Sequence, residues 1–148
     1  MKKIVVLGGG FGGMYAAMEL EKVLSPGEAE ITLVSKDNYL LFTPMLHEVA
    51  SGDVSITDIV CPVRQLVKRT TVLQGLVTAI DIKRKRVSVS HCSGTESDEL
   101  EFDYLLIALG SVTNFFGLPG LQEKAVTMKT LDDAMHLRNL MIACLEEA

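Results

Sequence analysis

The sequence predicts an α/β fold, a parallel sheet with helices and a small antiparallel β-meander. Three observations carry this expectation. Two apolar runs of strand length, Ile4-Val5-Val6-Leu7 and Ile31-Thr32-Leu33-Val34, flank a stretch of helical periodicity, the order and size of one βαβ crossover. A further apolar run covers residues 104–109. From about residue 75 to 102, short alternating segments are separated by turn residues, as antiparallel strands are.

Taken in order, residues 4–7 form a strand because a strand covered on both faces reads as an unbroken apolar run. Gly8 to Gly13 break that run. Met14, Ala17, Met18 and Glu21 follow at helical spacing, with Leu20 and Leu24 widening the stripe, so a helix extends to about Leu24. Ser25-Pro26-Gly27 stops it, since proline cannot continue a helix and glycine frees the turn. Residues 31–34 are the second strand. Asn38 to Phe42 lead into Thr43-Pro44 and a short helix around residues 46–50. A second helix is predicted over residues 59–67, with Pro62 near its start, where a missing N–H costs least.

Residues 72–74 begin another strand. Residues 77–82 and 87–90 read as a hairpin across Lys83-Arg84-Lys85-Arg86, and residues 100–102 add a third antiparallel strand. Residues 104–109 read as a second buried apolar strand, ending in Gly110. Thr113 to Gly120 form a loop whose Phe115-Phe116 pair reads as core or domain-interface packing. The last helix starts at Thr130, whose hydroxyl forms a capping box with Asp133, and runs to the end of the chain.

Composition narrows the function classes. With 148 residues the chain is long enough for one core, and 48% hydrophobic with 22% charged residues is a globular balance rather than a disordered one. A formal net charge of -5 argues against a nucleic-acid binder, and the cluster from Lys83 to Arg86 reads as a solvated hairpin tip. No apolar run approaches the roughly 18 residues of a membrane span. Met1-Lys2-Lys3 starts like a signal peptide, but the glycines from Gly8 interrupt any apolar segment, so the chain is expected to be cytoplasmic. Cys61, Cys92 and Cys144 are odd in number and widely spaced, which suggests neither a disulfide framework nor a zinc site. No metal is expected.

The chemistry centres on Gly8-x-Gly10-x-x-Gly13, set between a strand and a helix. Gly8 permits the tight turn, Gly10 lets a pyrophosphate approach the backbone, and Gly13 lets helix and strand pack closely. The helix start adds unpaired N–H groups and partial positive charge for the phosphates. This predicts a Rossmann-like dinucleotide site. The acid expected roughly 20 positions on, to accept from a ribose hydroxyl, is absent. Ser35 stands there, followed by Lys36 and Asp37. An NADP enzyme could use the lost acid and the gained base for a 2′-phosphate. In an FAD enzyme Ser35 could bond the ribose while Lys36 covers the adenine, and the fingerprint alone does not choose.

Five segments in order resemble the type II NADH dehydrogenase (NADH:quinone oxidoreductase) family, within the FAD-dependent pyridine nucleotide-disulfide oxidoreductases. They are Gly8-Gly9-Gly10-Phe11-Gly12-Gly13, the run from Asp37 through Thr43-Pro44-Met45-Leu46-His47-Glu48 to Gly52, Ile107-Ala108-Leu109-Gly110-Ser111, Asn114-Phe115-Phe116-Gly117, and the helix through Asp133-Ala134. The resemblance implies an incomplete Rossmann-like FAD-binding domain. It places Gly8, Gly10, Phe11 and Gly12 on the FAD pyrophosphate, with Gly13 counted in the same cofactor-binding set, Ser35 and Lys36 on the adenosine, and Val77 on the adenine side. Thr43, Pro44 and Leu46 fall beside the isoalloxazine ring, and Ala108 and Gly110 bring backbone close to the cofactor. The sequence departs from the family at Ser35, where an acid is usual, and at Leu109, where a threonine is usual.

No cysteine pair lies near the segment from Thr43 to Gly52, which favours transfer from NAD(P)H through FAD to a quinone over a dithiol relay. His47 and Glu48 are candidates for proton handling, because histidine titrates near neutrality. A polar residue beside a cofactor is more often there for packing or capping. Family members are roughly three times as long, so residues 1–113 are expected to be the first part of the FAD domain, and 114–148 a linker and helix leading to an NADH-binding domain beyond this chain. Peripheral contact with the cytoplasmic face of a membrane would come through a C-terminal part also beyond it, and the chain alone would be inactive and open to self-association. Two other readings stay open: an NADP-dependent dehydrogenase, and a non-catalytic dinucleotide-binding module.

Overall fold

A computed structural model describes residues 1–91 and 97–147, so Cys92 and Ala148 lie outside the described residues. The elements are β1 (Lys2–Leu7), α1 (Phe11–Val23), β2 (Ala29–Ser35), β3 (Tyr39–Leu41), a 3₁₀ turn (Thr43–Met45), α2 (Leu46–Ser51) and a second 3₁₀ turn (Ile56–Asp58). There follow β4 (Val60–Pro62), α3 (Val63–Leu66), β5 (Thr71–Gln74), β6 (Leu76–Asp81), β7 (Arg86–Ser90), β8 (Ser97–Glu101), β9 (Tyr104–Ile107), α4 (Leu121–Lys124) and α5 (Leu131–Glu146). The chain divides into two compact units, one of residues 1–40 and 61–110, the other of residues 41–60 and 111–148.

The first unit is built on a parallel four-stranded sheet in the order β5-β2-β1-β9. Its central strands are apolar at successive positions because both faces are covered. Val6, Ile31 and Leu33 pack against Met14 and Ala17 of α1, together with Val63 and Val67. Val5, Leu7 and Val34 point the other way, into Val87, Val89 and Phe102. The second cover is therefore the antiparallel meander β6-β7-β8, which sits where the sequence places it. Its basic hairpin tip is exposed, and Arg86, the first residue of β7, pairs with Glu99 at 2.8 Å and Glu101 at 3.3 Å.

Four details differ from the sequence expectation. Helix α1 starts at Phe11, ahead of Met14, because Gly12 and Gly13 form its first turn rather than part of the loop. The single helix expected over residues 59–67 is broken into β4 and the one-turn α3. Pro62 has no N–H to donate, the β-branched Val60 suits an extended strand, and the Val63 N–H goes to the Asn38 carbonyl at 3.0 Å. The third meander strand spans Ser97–Glu101, and Phe102 turns inward, its N–H donating to the Lys85 carbonyl at 3.0 Å. Strand β9 ends at Ile107 and is not fully buried: it is an edge strand, with Tyr104 60% and Ile107 56% exposed.

The second unit forms around α2 and α5. Leu46, Val49, Ala50 and Ile59 bury against Ala134, with Leu131 and Leu137 alongside. Helix α2 ends at Gly52, whose left-handed φ of +89° lets its N–H reach the Glu48 and Val49 carbonyls at 3.1 and 3.2 Å. Helix α5 opens with the expected capping box: the Asp133 N–H donates to Thr130 Oγ1 at 3.1 Å, and the Thr130 N–H to Asp133 Oδ2 at 3.0 Å. The Lys129 N–H at 2.8 Å leads the groups that hold the Asp133 carboxyl below its ordinary range. The grouping of residues 41–60 with 111–148 divides the chain differently from a continuous boundary near residue 113, because the apolar face of α2 finds its cover on α5.

Candidate dinucleotide-binding site

The first unit gathers ten of the residues singled out above: Gly8, Gly10, Phe11, Gly12, Gly13, Ser35, Lys36, Val77, Ala108 and Gly110. The turn between β1 and α1 lies at the carboxyl ends of the parallel strands, where α/β sheets form their ligand crevice. Its start is pinned by the Gly8 N–H on the Val34 carbonyl and the Ala108 N–H on the Leu7 carbonyl, both at 2.8 Å.

The glycines divide by role. Gly8 has a φ of +106°, and a Cβ there would overlap the Ala108 carbonyl. A Cβ on Gly13 would overlap the Gly8 carbonyl, so the helix can lie this close to the strand only with glycine. Gly10 is different: its φ of -77° suits any residue, and no atom lies within 4 Å of its Cβ position. That space is open for a ligand rather than filled by the fold. The first turn of α1 carries no acidic residue and no side-chain cap, leaving the positive end of the helix dipole uncompensated.

Around this turn, a Cβ on Gly12 would lie 3.5 Å from the Ala108 side chain, and Gly110 takes a φ of +78° in open space. Phe11 stacks on Tyr15 with ring centroids 6.4 Å apart. Ser35 is only 5% exposed, whereas Lys36 is exposed. Val77 pairs with Val89 in the meander and packs against the core cluster of Val5, Leu7 and Val34.

Two contacts had no visible signal in the sequence. A Cβ on Gly9 would overlap the Ser35 hydroxyl, so the x of the glycine motif is itself constrained. After β2 the chain is tied to the end of β5, by the Gly75 N–H on the Ser35 carbonyl at 2.9 Å and the Gln74 amide on the Lys36 carbonyl at 3.3 Å.

The other candidates belong to the second unit. Thr43 and Pro44 form the 3₁₀ turn before α2, and Leu46 is buried in that unit's own core. His47 and Glu48 follow on α2, with His47 Nε2 3.8 Å from Glu48 Oε1 and the histidine side chain 68% exposed. A cleft of about 280 Å3 lies elsewhere in the first unit, at the amino ends of the strands, lined by Lys3, Thr32, Arg86 and Glu101 among others. Four of its charges are already paired, Lys3 with Glu101 at 3.5 Å and Arg86 with Glu99 at 2.8 Å. Among the described residues no group of three or more His, Cys, Asp or Glu side chains is placed to hold a metal ion, and no helix is long and apolar enough to cross a membrane.

A parallel sheet with a Gly-x-Gly-x-x-Gly turn between its first strand and helix defines the Rossmann-like class of α/β proteins. Within that class, the chain belongs to the pyridine nucleotide-disulphide oxidoreductase family, which matches residues 2–143. A type II NADH:quinone oxidoreductase of Staphylococcus aureus is 35% identical over 138 residues, 92% of this chain and 33% of the relative. Among solved structures, NDH2 from Plasmodium falciparum in complex with NADH superposes with a TM-score of 0.87 at 28% identity, covering 99% of this chain and 30% of that one. The sulfide:quinone oxidoreductase of Aquifex aeolicus gives 0.83 at 27%, covering 99% of this chain and 33% of that one. The chain thus spans about a third of the length of these relatives.

Proposed function

We propose that this chain is the FAD-binding portion of a flavoprotein oxidoreductase that passes electrons from NAD(P)H through FAD to a quinone. The observation that carries the reading is the turn at residues 8–13, closed to side chains at Gly8 and Gly13 but open at Gly10, before an uncapped helix start free of acid. Those features fit a pyrophosphate. The names of the relatives from Staphylococcus aureus and Plasmodium falciparum support NADH as donor, and the former supports a quinone as acceptor.

In this reading the N–H groups at the start of α1 donate to the pyrophosphate oxygens, with Gly8, Gly10, Phe11, Gly12 and Gly13 as the cradle. Ser35 and Lys36 meet the adenosine, with Val77 on its adenine side, and Ala108 and Gly110 present backbone to the cofactor. From the second unit, the resemblance assigns Thr43, Pro44 and Leu46 to the flavin ring. FAD, when bound, supplies the electron-transfer chemistry, and the chain binds and orients it. His47 and Glu48 stand outside the proposed machinery, since the His47 side chain is largely solvent-facing and its nearest acid is its neighbour on α2.

The test is titration of the purified chain with FAD and, separately, with NADPH, followed by calorimetry and flavin fluorescence. Saturable FAD binding without an NADPH response is expected. NADPH binding without FAD binding would replace this reading with an NADP-dependent dehydrogenase. Silence from both ligands, repeated on the full-length protein, would refute a dinucleotide site.

A further inference from the structure

The glycine turn calls for an acid at the end of β2 to accept from the ribose, and Ser35 stands in its place. The structure shows what that replacement does. Ser35 is 5% exposed, and its side chain lies where a Cβ on Gly9 would stand. The short hydroxyl is therefore packed under the glycine turn, is neutral, and does not extend past it. The backbone just after Ser35 is fixed by two bonds to the end of β5: the Gly75 N–H on the Ser35 carbonyl at 2.9 Å, and the Gln74 amide on the Lys36 carbonyl at 3.3 Å. The next residue, Asp37, is exposed, and its carbonyl oxygen lies 4.0 Å from the Gly9 Cβ position. Its backbone thus runs alongside the turn. Among the described residues, no hydrogen bond or ion pair engages the Asp37 carboxylate.

We infer that Asp37 is the ribose-binding residue of this site, taking the place of the acid missing at position 35, on a segment that Gln74 holds by the Lys36 carbonyl. This rests on the dinucleotide reading proposed above and deepens it. A carboxylate on this segment can accept from ribose hydroxyls as the usual acid does, two positions further along the chain. Its negative charge disfavours a 2′-phosphate, so the ligand class is a dinucleotide with a free ribose 2′-hydroxyl. Lys36 remains free to cover the adenine.

The experiment is calorimetric titration of the full chain with FAD, ADP and 2′-deoxy-ADP. The unsubstituted chain should prefer ADP over 2′-deoxy-ADP by about tenfold or more, the effect of one hydrogen bond to a charged acceptor. Asp37→Asn replaces the charged acceptor with a weaker neutral one and should shrink that preference several-fold, with its circular dichroism unchanged, because the residue is exposed. Glu146→Gln, which removes an exposed charge from α5, should keep the preference. If neither this chain nor the full-length protein binds FAD or ADP, the dinucleotide reading fails and the inference with it. If either binds both and Asp37→Asn keeps the full preference for ADP, the inference alone is overturned. It is overturned equally if Ser35→Ala abolishes a preference that Asp37→Asn leaves untouched.

Discussion

Glu21 lies near the end of α1, and its carboxylate is the acceptor that holds the chain leading into β5. One oxygen, Oε1, accepts from the N–H groups of Arg69 and Thr70 at 2.7 Å each and from Thr70 Oγ1 at 2.8 Å. The Lys68 N–H contributes at 3.1 Å. Lys68 and Arg69 are exposed, so water replaces the carboxylate at their N–H groups when it is removed. Thr70 is 9% exposed, and its N–H and hydroxyl lose partners that water replaces poorly. Glu21→Gln turns the acceptor into an amide that retains one oxygen, which leaves a loss of about 2 kcal/mol at neutral pH. In a urea titration this is a midpoint shift of about 1 M for a domain of this size.

The pH dependence has a definite sign. Burial pushes the Glu21 carboxyl up, but the Thr70 hydroxyl and the N–H groups of Lys68, Arg69 and Thr70 together outweigh it and hold the carboxyl below its ordinary value of 4.5. A depressed carboxyl stabilises the fold fully above its unfolded value, and that contribution is lost as pH falls through the lowered folded value. The gap between wild type and Glu21→Gln should therefore be full at pH 7 and close below the ordinary glutamate range. A gap under about 0.5 kcal/mol at pH 7, or one of equal size in acid, would refute the clamp.

Three further outcomes are expected. Gly13→Ala drives a methyl into the Gly8 carbonyl and should cost at least about 3 kcal/mol in denaturant, whereas Gly10→Val should fold normally and lose FAD binding. Thr130→Ala removes one half of the α5 capping box and should lower stability by about 1 kcal/mol, read from a thermal or urea midpoint. His47→Ala in the full-length protein should leave quinone turnover within about tenfold, and a loss of several orders of magnitude would bring that exposed side chain into the chemistry.

Much of the first unit was legible because it rests on local chemistry. An unbroken apolar run such as Val5-Val6-Leu7 needs cover on both faces, and α1 and the meander supply it. The Thr130–Asp133 capping box spans a single turn and could be read directly. Residues 59–67 misled because their apolar spacing suits a helix, while the ladder with β3 and the Asn38 carbonyl lie elsewhere in the chain. Strand β9 misled in a related way: its composition is that of a covered strand, yet its place at the sheet edge leaves Tyr104 and Ile107 exposed.

The βαβ start, the glycine turn and the meander could all be read from the chain alone, because each follows from backbone conformation and hydrophobic period over a few residues. Long-range packing set the rest: Ser35 fills the space that a Cβ on Gly9 would need, Gln74 holds Lys36, and residues 41–60 pack with α5. Glu21 shows the reason most plainly. In the sequence it is an acid at core spacing, and its partners, the N–H groups of residues 68–70, begin 47 positions away. Local periodicity says which face of α1 turns inward, but what meets that face depends on where the rest of the chain returns.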